Sequence, residues 1–314
     1  MFDDLQITYD GPREFVATDP TPQPMTLSLL CPQGLPAGTQ IRAVIRNFGA
    51  FIPDRWTLEG IKVSGGGRVT LQKGLPATWE DRLSGGRLPG GGGLIDGEQN
   101  HIYLCTTVVE APLAPGARMN LHFRGTICDH AWVDAALMLR VRPPQEESFS
   151  DVGQPIVLHS VAGTPARLEV RVTPMPDAEG TARATVFVTD AEANPMYGYA
   201  GRASLEASRD MEGLAGTVTF PQDGPAYVHL DNLHVKGGGP TRISARSSLS
   251  DEPVTSNTLL PGPVEGWRHY FGALHFHTVL SYDGDREMET AYEWARDWLN
   301  LDVLAAADHT PKGP

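Results

Sequence analysis

The chain has 314 residues, 40% of them hydrophobic, and a formal net charge of -13 at pH 7. This length and apolar content suffice for the cores of two or three domains. The negative charge argues against a nucleic-acid partner, since phosphates would be repelled, and no run of Lys and Arg contradicts this.

The N-terminus has no basic segment followed by an apolar core, and the chain has no run of about 18 apolar residues. The sequence therefore predicts neither export nor a membrane span. A cytoplasmic location is expected unless a signal peptide precedes Met1. Cys31, Cys105 and Cys128 lie far apart without a Cys-x-x-Cys pair, which predicts buried free thiols.

Residues 1–150 alternate short β-type runs with turn-rich stretches, and no segment of helical periodicity competes with them. Their best predicted strands are 41–48, 101–110, 119–126 and 136–141. Glycine runs at 65–67 and 90–93 mark loops. This pattern predicts an N-terminal domain that is an antiparallel β-sandwich.

The Pro- and Glu-rich stretch 143–148 is predicted to be a linker, followed by a second sandwich domain over 151–265. Leu168, Val170 and Val172 alternate with charged residues, which predicts a strand with one solvated face. Further predicted strands are 184–189, 214–220, 226–230 and 241–245. Their spacing is typical of an immunoglobulin-like sandwich.

Three features of these regions resemble binding sites but are better explained by structural or solvated residues. The glycine-rich run 84–93 lacks the Gly-Lys-Ser/Thr ending of a phosphate loop, which favours a hairpin loop. An acidic cluster at 129–134 is expected to be solvated. His229 and His234 would point to opposite faces of a continuous strand, which argues against a shared metal.

Residues 266–314 carry the strongest chemical signal. In an extended strand His275 and His277 project to the same side, with Phe276 facing away, and form a ready pair of imidazole ligands. Asp283 follows in a loop with Gly284, where its carboxylate could turn back toward them. Mixed nitrogen and oxygen ligation suits Zn, Mn or Fe.

A helix and a second strand are predicted after this pair. Apolar residues recur at helical spacing at Met288, Ala291, Tyr292, Ala295, Trp298 and Leu299. The apolar run 302–307 predicts a buried parallel strand, with Asp308 and His309 at its C-terminal end. Strand, helix and strand form one βαβ unit, and in a β/α barrel the chemistry lies at the C-terminal ends of the strands.

The runs YFGALHFHT at 270–278 and AADH at 306–309 resemble the PHP (polymerase and histidinol phosphatase) superfamily of metal-dependent phosphoesterases. The resemblance covers about residues 268–314, and is greatest to a poorly characterised bacterial branch (DUF3604-like) with β-rich N-terminal regions. It implies a distorted β/α barrel with up to three divalent metal ions. The substrate would be a small-molecule or glycan-linked phosphate ester.

Carried over by position, His275 and His277 would ligate one metal ion and His309 a neighbouring one. Asp283 would be a further ligand or hydrogen-bond partner, and Asp308 would orient the site. The resemblance thus makes Asp283 and Asp308 the candidate catalytic carboxylates.

This sequence departs from the branch in three ways. Ala273 stands where the branch usually has Asp, and Tyr282 lengthens the usual Ser-Asp-Gly turn by one residue. The later ligand motifs of the family have no positions before Pro314. We therefore expect the first βαβ unit of a barrel that this chain does not complete, inactive by itself.

Two hypotheses follow from the whole sequence. The first is the N-terminal part of a metal-dependent hydrolase, in which metal-activated water attacks a phosphate ester. The alternative is a non-catalytic binding or structural protein, in which two sandwiches act and the terminal segment is a relic or a packing element. If the chain ends at Pro314, the exposed sheet edges predict an oligomer or a partner.

Overall fold

The computed structural model describes residues 4–46, 56–74, 101–126, 130–175, 180–237, 239–260, 269–278 and 287–308. Within these ranges the chain is mostly β, with twenty strands and one helix. Contacts divide it into a first unit, Met1–Val161, and a second unit that comprises Ala162–Val279 and Arg286–Asp308. The predicted fold class, mostly β and built of sandwiches, is confirmed at this level.

The first unit consists of two packed sheets. Its strands are β1 (Gln6–Asp10), β2 (Glu14–Val16), β3 (Gln23–Cys31), β4 (Gln40–Arg46), β5 (Thr57–Ser64), β6 (Arg68–Gly74), β7 (His101–Ala111), β8 (Ala117–Gly125), β9 (Asp134–Arg142) and β10 (Ser150–Val161). One sheet has the order β1-β3-β8-β5, and the other has the order β2-β10-β9-β4-β7-β6.

A single apolar core lies between these sheets. Met25 and Leu27 of β3 face it from one sheet and Leu139 of β9 from the other, because alternate side chains of a strand share one face. Trp56 joins the same core, and its indole N–H donates to the carbonyl oxygen of Thr126 at 2.6 Å. The polar atom of this large buried ring is therefore satisfied.

The predicted strands of this unit match β4, β7, β8 and β9, except that residues 47–48 lie outside the described ranges. The predicted glycine loop at 65–67 joins β5 to β6. Its residues Gly65, Gly66 and Gly67 have φ values of 88°, 86° and 95°, which glycine adopts without steric cost. The other two predicted glycine loops, 84–93 and 90–93, lie outside the described residues.

The change from first to second unit comes later than the predicted boundary at residue 150. Strand β10 pairs antiparallel with β9 and parallel with β2, and its Val152, Ile156 and Leu158 lie in the first core. The stretch 143–148 is consequently the hairpin connection between β9 and β10, with Glu146 N–H donating to Pro143 O at 3.2 Å. Its prolines mark a turn here and not a linker between domains.

The second unit is another two-sheet sandwich. Its strands are β11 (Arg167–Pro174), β12 (Thr181–Thr189), β13 (Arg202–Ala207), β14 (Met211–Glu212), β15 (Thr217–Thr219), β16 (Tyr227–Val235), β17 (Ile243–Arg246) and β18 (Val254–Thr255). The sheet orders are β11-β12-β16-β14 and β15-β13-β17-β18. The alternation predicted for β11 is present, with Leu168, Val170 and Val172 in the core.

A buried carboxylate holds the turn after β12. Asp190 is fully buried and accepts from the backbone N–H groups of Gly163, Glu192 and Asn194 and from the Asn194 side-chain amide, each at 2.9 Å. Four donors compensate the desolvation of this charge. They also tie the first residues of the second unit to the end of β12.

The terminal segment, residues 269–308, comprises β19 (Gly272–Phe276), helix α1 (Met288–Asp297) and β20 (Val303–Ala306). Strands β19 and β20 pair in parallel, and the described part of this segment belongs to the second unit by its contacts. The sequence pattern predicts a separate domain over 266–314, whereas the contacts place the described part of this segment in the same unit as the second sandwich. In the described ranges, no helix is long and apolar enough to cross a membrane.

The apolar stripe predicted on α1 is buried only in part. Ala295 and the adjacent Trp298 are buried, whereas Tyr292 and Leu299 are each 41% exposed. A two-stranded sheet is too narrow to cover a full helix face. The buried end of the stripe instead packs on the second sandwich, as described below.

Candidate metal-ligand segment

The imidazoles of His275 and His277 lie side by side. Their Nε2 atoms are 2.8 Å apart and their ring centroids 4.9 Å apart. Phe276 points the other way and packs edge-on against Tyr292 of α1, at a centroid distance of 5.8 Å and an angle of 86°. The predicted placement of the two imidazoles on one side of the strand is confirmed.

This pair fits a divalent metal ion by donor chemistry and by spacing. Two imidazole nitrogens at Zn–N distances of about 2.0–2.1 Å and a tetrahedral angle lie roughly 3.3 Å apart. The observed 2.8 Å is roughly 0.5 Å shorter than that separation. If one Nε2 donates to the other, metal binding requires that ring to take the tautomer with its proton on Nδ1.

Asp283 and His309 lie outside the described residues. The described ranges contain no group of three or more His, Cys, Asp or Glu residues that could hold a metal ion. Ala273, which stands at the position where an Asp was expected, is opposite Leu304 in the parallel ladder.

Asp308 is engaged by the end of β19. Its Oδ1 accepts from the Thr278 N–H at 2.5 Å, and its Oδ2 accepts from the Thr278 hydroxyl at 2.8 Å. Thr278 is fully buried. The carboxylate therefore binds the residue that follows His277, which is consistent with an orienting role and leaves both oxygens already bonded.

A second carboxylate holds the opposite end of the two strands. Asp302 accepts from the Phe271 N–H at 2.8 Å through Oδ2, and its own N–H donates to Phe271 O at 2.7 Å. Burial raises the pKa of Asp302, and the hydrogen bond from Phe271 opposes this rise. Gly272 lies so close to β20 that a Cβ would be 2.7 Å from Val303 O, which explains the glycine of the motif.

Trp298 fixes the helix end in an aromatic pocket of the second sandwich. The indole is 3% exposed and lies edge-to-face against Phe187 and Tyr227, at centroid distances of 6.0 and 5.1 Å. Tyr197 completes the pocket at 5.9 Å. Phe187 and Tyr227 are direct partners in the β12–β16 ladder, so the pocket is built on paired strands.

Asn300 provides a second attachment that the sequence analysis did not find. It is buried, has φ of 54°, and its Nδ2 donates to Thr173 Oγ1 at 2.7 Å and to Arg183 O at 3.2 Å. An Asn just after an apolar helical stripe is a helix C-terminal signal. This signal predicts the turn after the helix. It does not predict the contacts with β11 and β12, because those strands lie far away in the sequence.

Clusters discounted on sequence grounds have structural partners. Asp134 pairs with His159, with Oδ1 and Nδ1 2.7 Å apart, while Asp129 lies outside the described residues. His229 Nδ1 lies 2.9 Å from Thr185 Oγ1. Asp231 accepts from Arg183 Nε at 2.5 Å.

The two described cysteines are buried free thiols, as predicted. Burial raises the pKa of Cys31 to about 11 and that of Cys105 to about 12. Neither is a reactive thiolate at neutral pH. Cys128 lies outside the described residues.

Comparison with protein-family models and with curated proteins finds no match. Among solved structures, the C-terminal domain of the Streptococcus agalactiae AgI/II polypeptide BspA is 9% identical over 81% of this chain and 98% of its own, with a TM-score of 0.34. The C-terminal domain of the Streptococcus pyogenes antigen I/II-family protein AspA is 12% identical over 82% and 99%, with a TM-score of 0.33. A 35 kDa C-terminal fragment of the Streptococcus agalactiae major pilin GBS80 is 10% identical over 82% and 92%, with a TM-score of 0.25. These scores are too low to support an argument about function.

Proposed function

We propose that this chain is a β-sandwich protein with a structural or binding role, and that its described residues are not catalytic by themselves. The observation that supports this proposal is the use of Asp308, one of the two predicted catalytic carboxylates, as a double acceptor for Thr278. A carboxylate with both oxygens bonded to a buried neighbour serves the packing of the segment. The net charge of -13 favours a neutral or cationic partner.

A hydrolysis assay tests this first proposal. The full chain is incubated with a chromogenic phosphate monoester and with Zn²⁺ or Mn²⁺, and the rate is compared with that of the metal ion alone. We expect equal rates. Turnover above the metal blank that disappears in Asp308→Ala would contradict the proposal.

A second candidate function is divalent-metal binding by His275 and His277, in the service of a PHP-type metal-dependent hydrolase. The 2.8 Å separation of their Nε2 atoms favours it. A bound metal ion would supply Lewis acidity toward a phosphoryl oxygen and a lowered pKa for water. The protein residues would contribute two neutral imidazoles, while Asp308 holds the end of their strand in place.

Metal titration of the full chain tests this second candidate. We expect stoichiometric Zn²⁺ or Co²⁺ binding that is lost in His275→Ala and in His277→Ala. His269→Ala is the matched control, since His269 is an exposed histidine near the same strand and should leave affinity unchanged. Equal affinity in all four proteins would remove the basis for the site.

A further inference from the structure

The aromatic pocket lies on the outer face of a sandwich sheet, where the strand pattern predicts exposure. In β12 the core-facing positions are Ala182, Ala184, Val186 and Val188. Phe187 points to the opposite face and yet is only 3% exposed. Trp298 covers it, so this part of the outer face is a packing surface for the terminal segment.

Short stretches of chain and hydrogen bonds together link this pocket to the imidazole pair. Trp298 is followed by Asn300, which bonds to β11 and β12. Asp302 then bonds Phe271 through both its carboxylate and its N–H. Phe271 precedes β19, the strand that carries His275.

We propose that Trp298 and Asn300 are positioning residues for the metal-ligand pair, so that the second sandwich sets the orientation of β19 and the metal affinity of its imidazoles. This inference rests on the second candidate function above. Two ligands on one short strand bind a metal well only when that strand is held in place. Residues that orient metal ligands typically change affinity by about 10- to 100-fold when they are removed.

The contacts also explain why the support must come from the sandwich. The β19–β20 pair is a two-stranded parallel sheet, and isolated two-stranded pairs are marginal in water. Leu274, which directly precedes His275 in β19, is 75% exposed. Near the histidines, Phe276 packs on Tyr292 of α1, and the end of that helix is held by the aromatic pocket through Trp298.

The test uses the full chain with Trp298→Ala, Trp298→Phe, Asn300→Ala and, as matched control, Leu299→Ala. Co²⁺ affinity and the visible absorption of bound Co²⁺ are measured, together with amide hydrogen exchange of residues 271–278 in metal-free protein. We expect Trp298→Ala and Asn300→Ala to weaken Co²⁺ binding about 10- to 100-fold and to speed exchange in β19. Exchange in the core of β12 should stay slow, Trp298→Phe should recover most of the affinity, and Leu299→Ala should match the parent.

Two results would overturn the inference. One is unchanged exchange of residues 271–278 in Trp298→Ala. The other is faster exchange with unchanged Co²⁺ affinity, in a protein whose affinity is lost in His275→Ala. If the parent chain binds no metal ion, the second candidate function fails, and so does the proposed effect on metal affinity. The exchange data then still report whether the pocket orders β19.

Discussion

The two hydrogen bonds from Thr278 to Asp308 give a quantitative prediction for Asp308→Ala. Each hydrogen bond to a charged group contributes about 1.5–3 kcal/mol. Because Asp308 is only partly buried, the low end applies, and two bonds together give about 3 kcal/mol of local stability. A tenfold change corresponds to about 1.4 kcal/mol, so exchange of the Thr278 amide should speed roughly 100-fold.

Amide exchange of Thr278 in the full chain measures this effect directly. Thr278→Val is the matched variant, because it keeps the N–H donor to Oδ1 and removes only the hydroxyl donor to Oδ2. Its amide should exchange about tenfold faster than in the parent. If the Thr278 amide of Asp308→Ala exchanges within twofold of the parent, Asp308 does not stabilise the end of β19 and is free for another role.

Three further predictions concern stability. Asp190→Ala leaves the buried N–H of Asn194 and the partly buried N–H of Gly163 without their acceptor. Urea unfolding should therefore show a loss of about 3–5 kcal/mol. A loss under about 1 kcal/mol would contradict the assigned role. In the folded state, burial and then Arg183 lower the pKa of His229, so the unfolded state binds more protons. Stability should therefore fall as pH drops from the ordinary histidine pKa toward the lowered one. His229→Gln should flatten this pH dependence in thermal scans, and an unchanged pH profile would count against it. Burial raises the pKa of Asp302. Its contribution to stability is therefore full below the unfolded-state pKa and is lost as pH rises through the folded-state pKa. At neutral pH, amides of β19 should exchange no faster in Asp302→Asn than in the parent, and faster exchange would show that the charge itself is needed.

Local periodicity was sufficient for the strands that face one core. The alternation of Leu168, Val170 and Val172 predicted β11 and its buried face. The same reasoning placed a domain boundary before β10, because prolines and glutamates mark a hairpin turn as well as a linker. Only pairing with β2 and β9, which is a long-range property, assigns β10 to the first unit.

The candidate site was predictable where it depended on one strand. A spacing of two residues was enough to place His275 and His277 on one side of β19. The stripe that includes Trp298 predicted burial against the sheet of its own βαβ unit, whereas its partners Phe187 and Tyr227 lie on the second sandwich. Helical periodicity identifies which residues are buried but not the surface that covers them.

A crystal structure of the full chain soaked in Zn²⁺, with anomalous diffraction recorded at the zinc edge, tests the imidazole pair and the aromatic pocket most directly. We expect a single strong peak at a zinc ion bound by Nε2 of His275 and of His277, with Trp298 packed among Phe187, Tyr197 and Tyr227. A terminal segment detached from that pocket, or zinc bound elsewhere with both imidazoles unligated, would contradict this expectation.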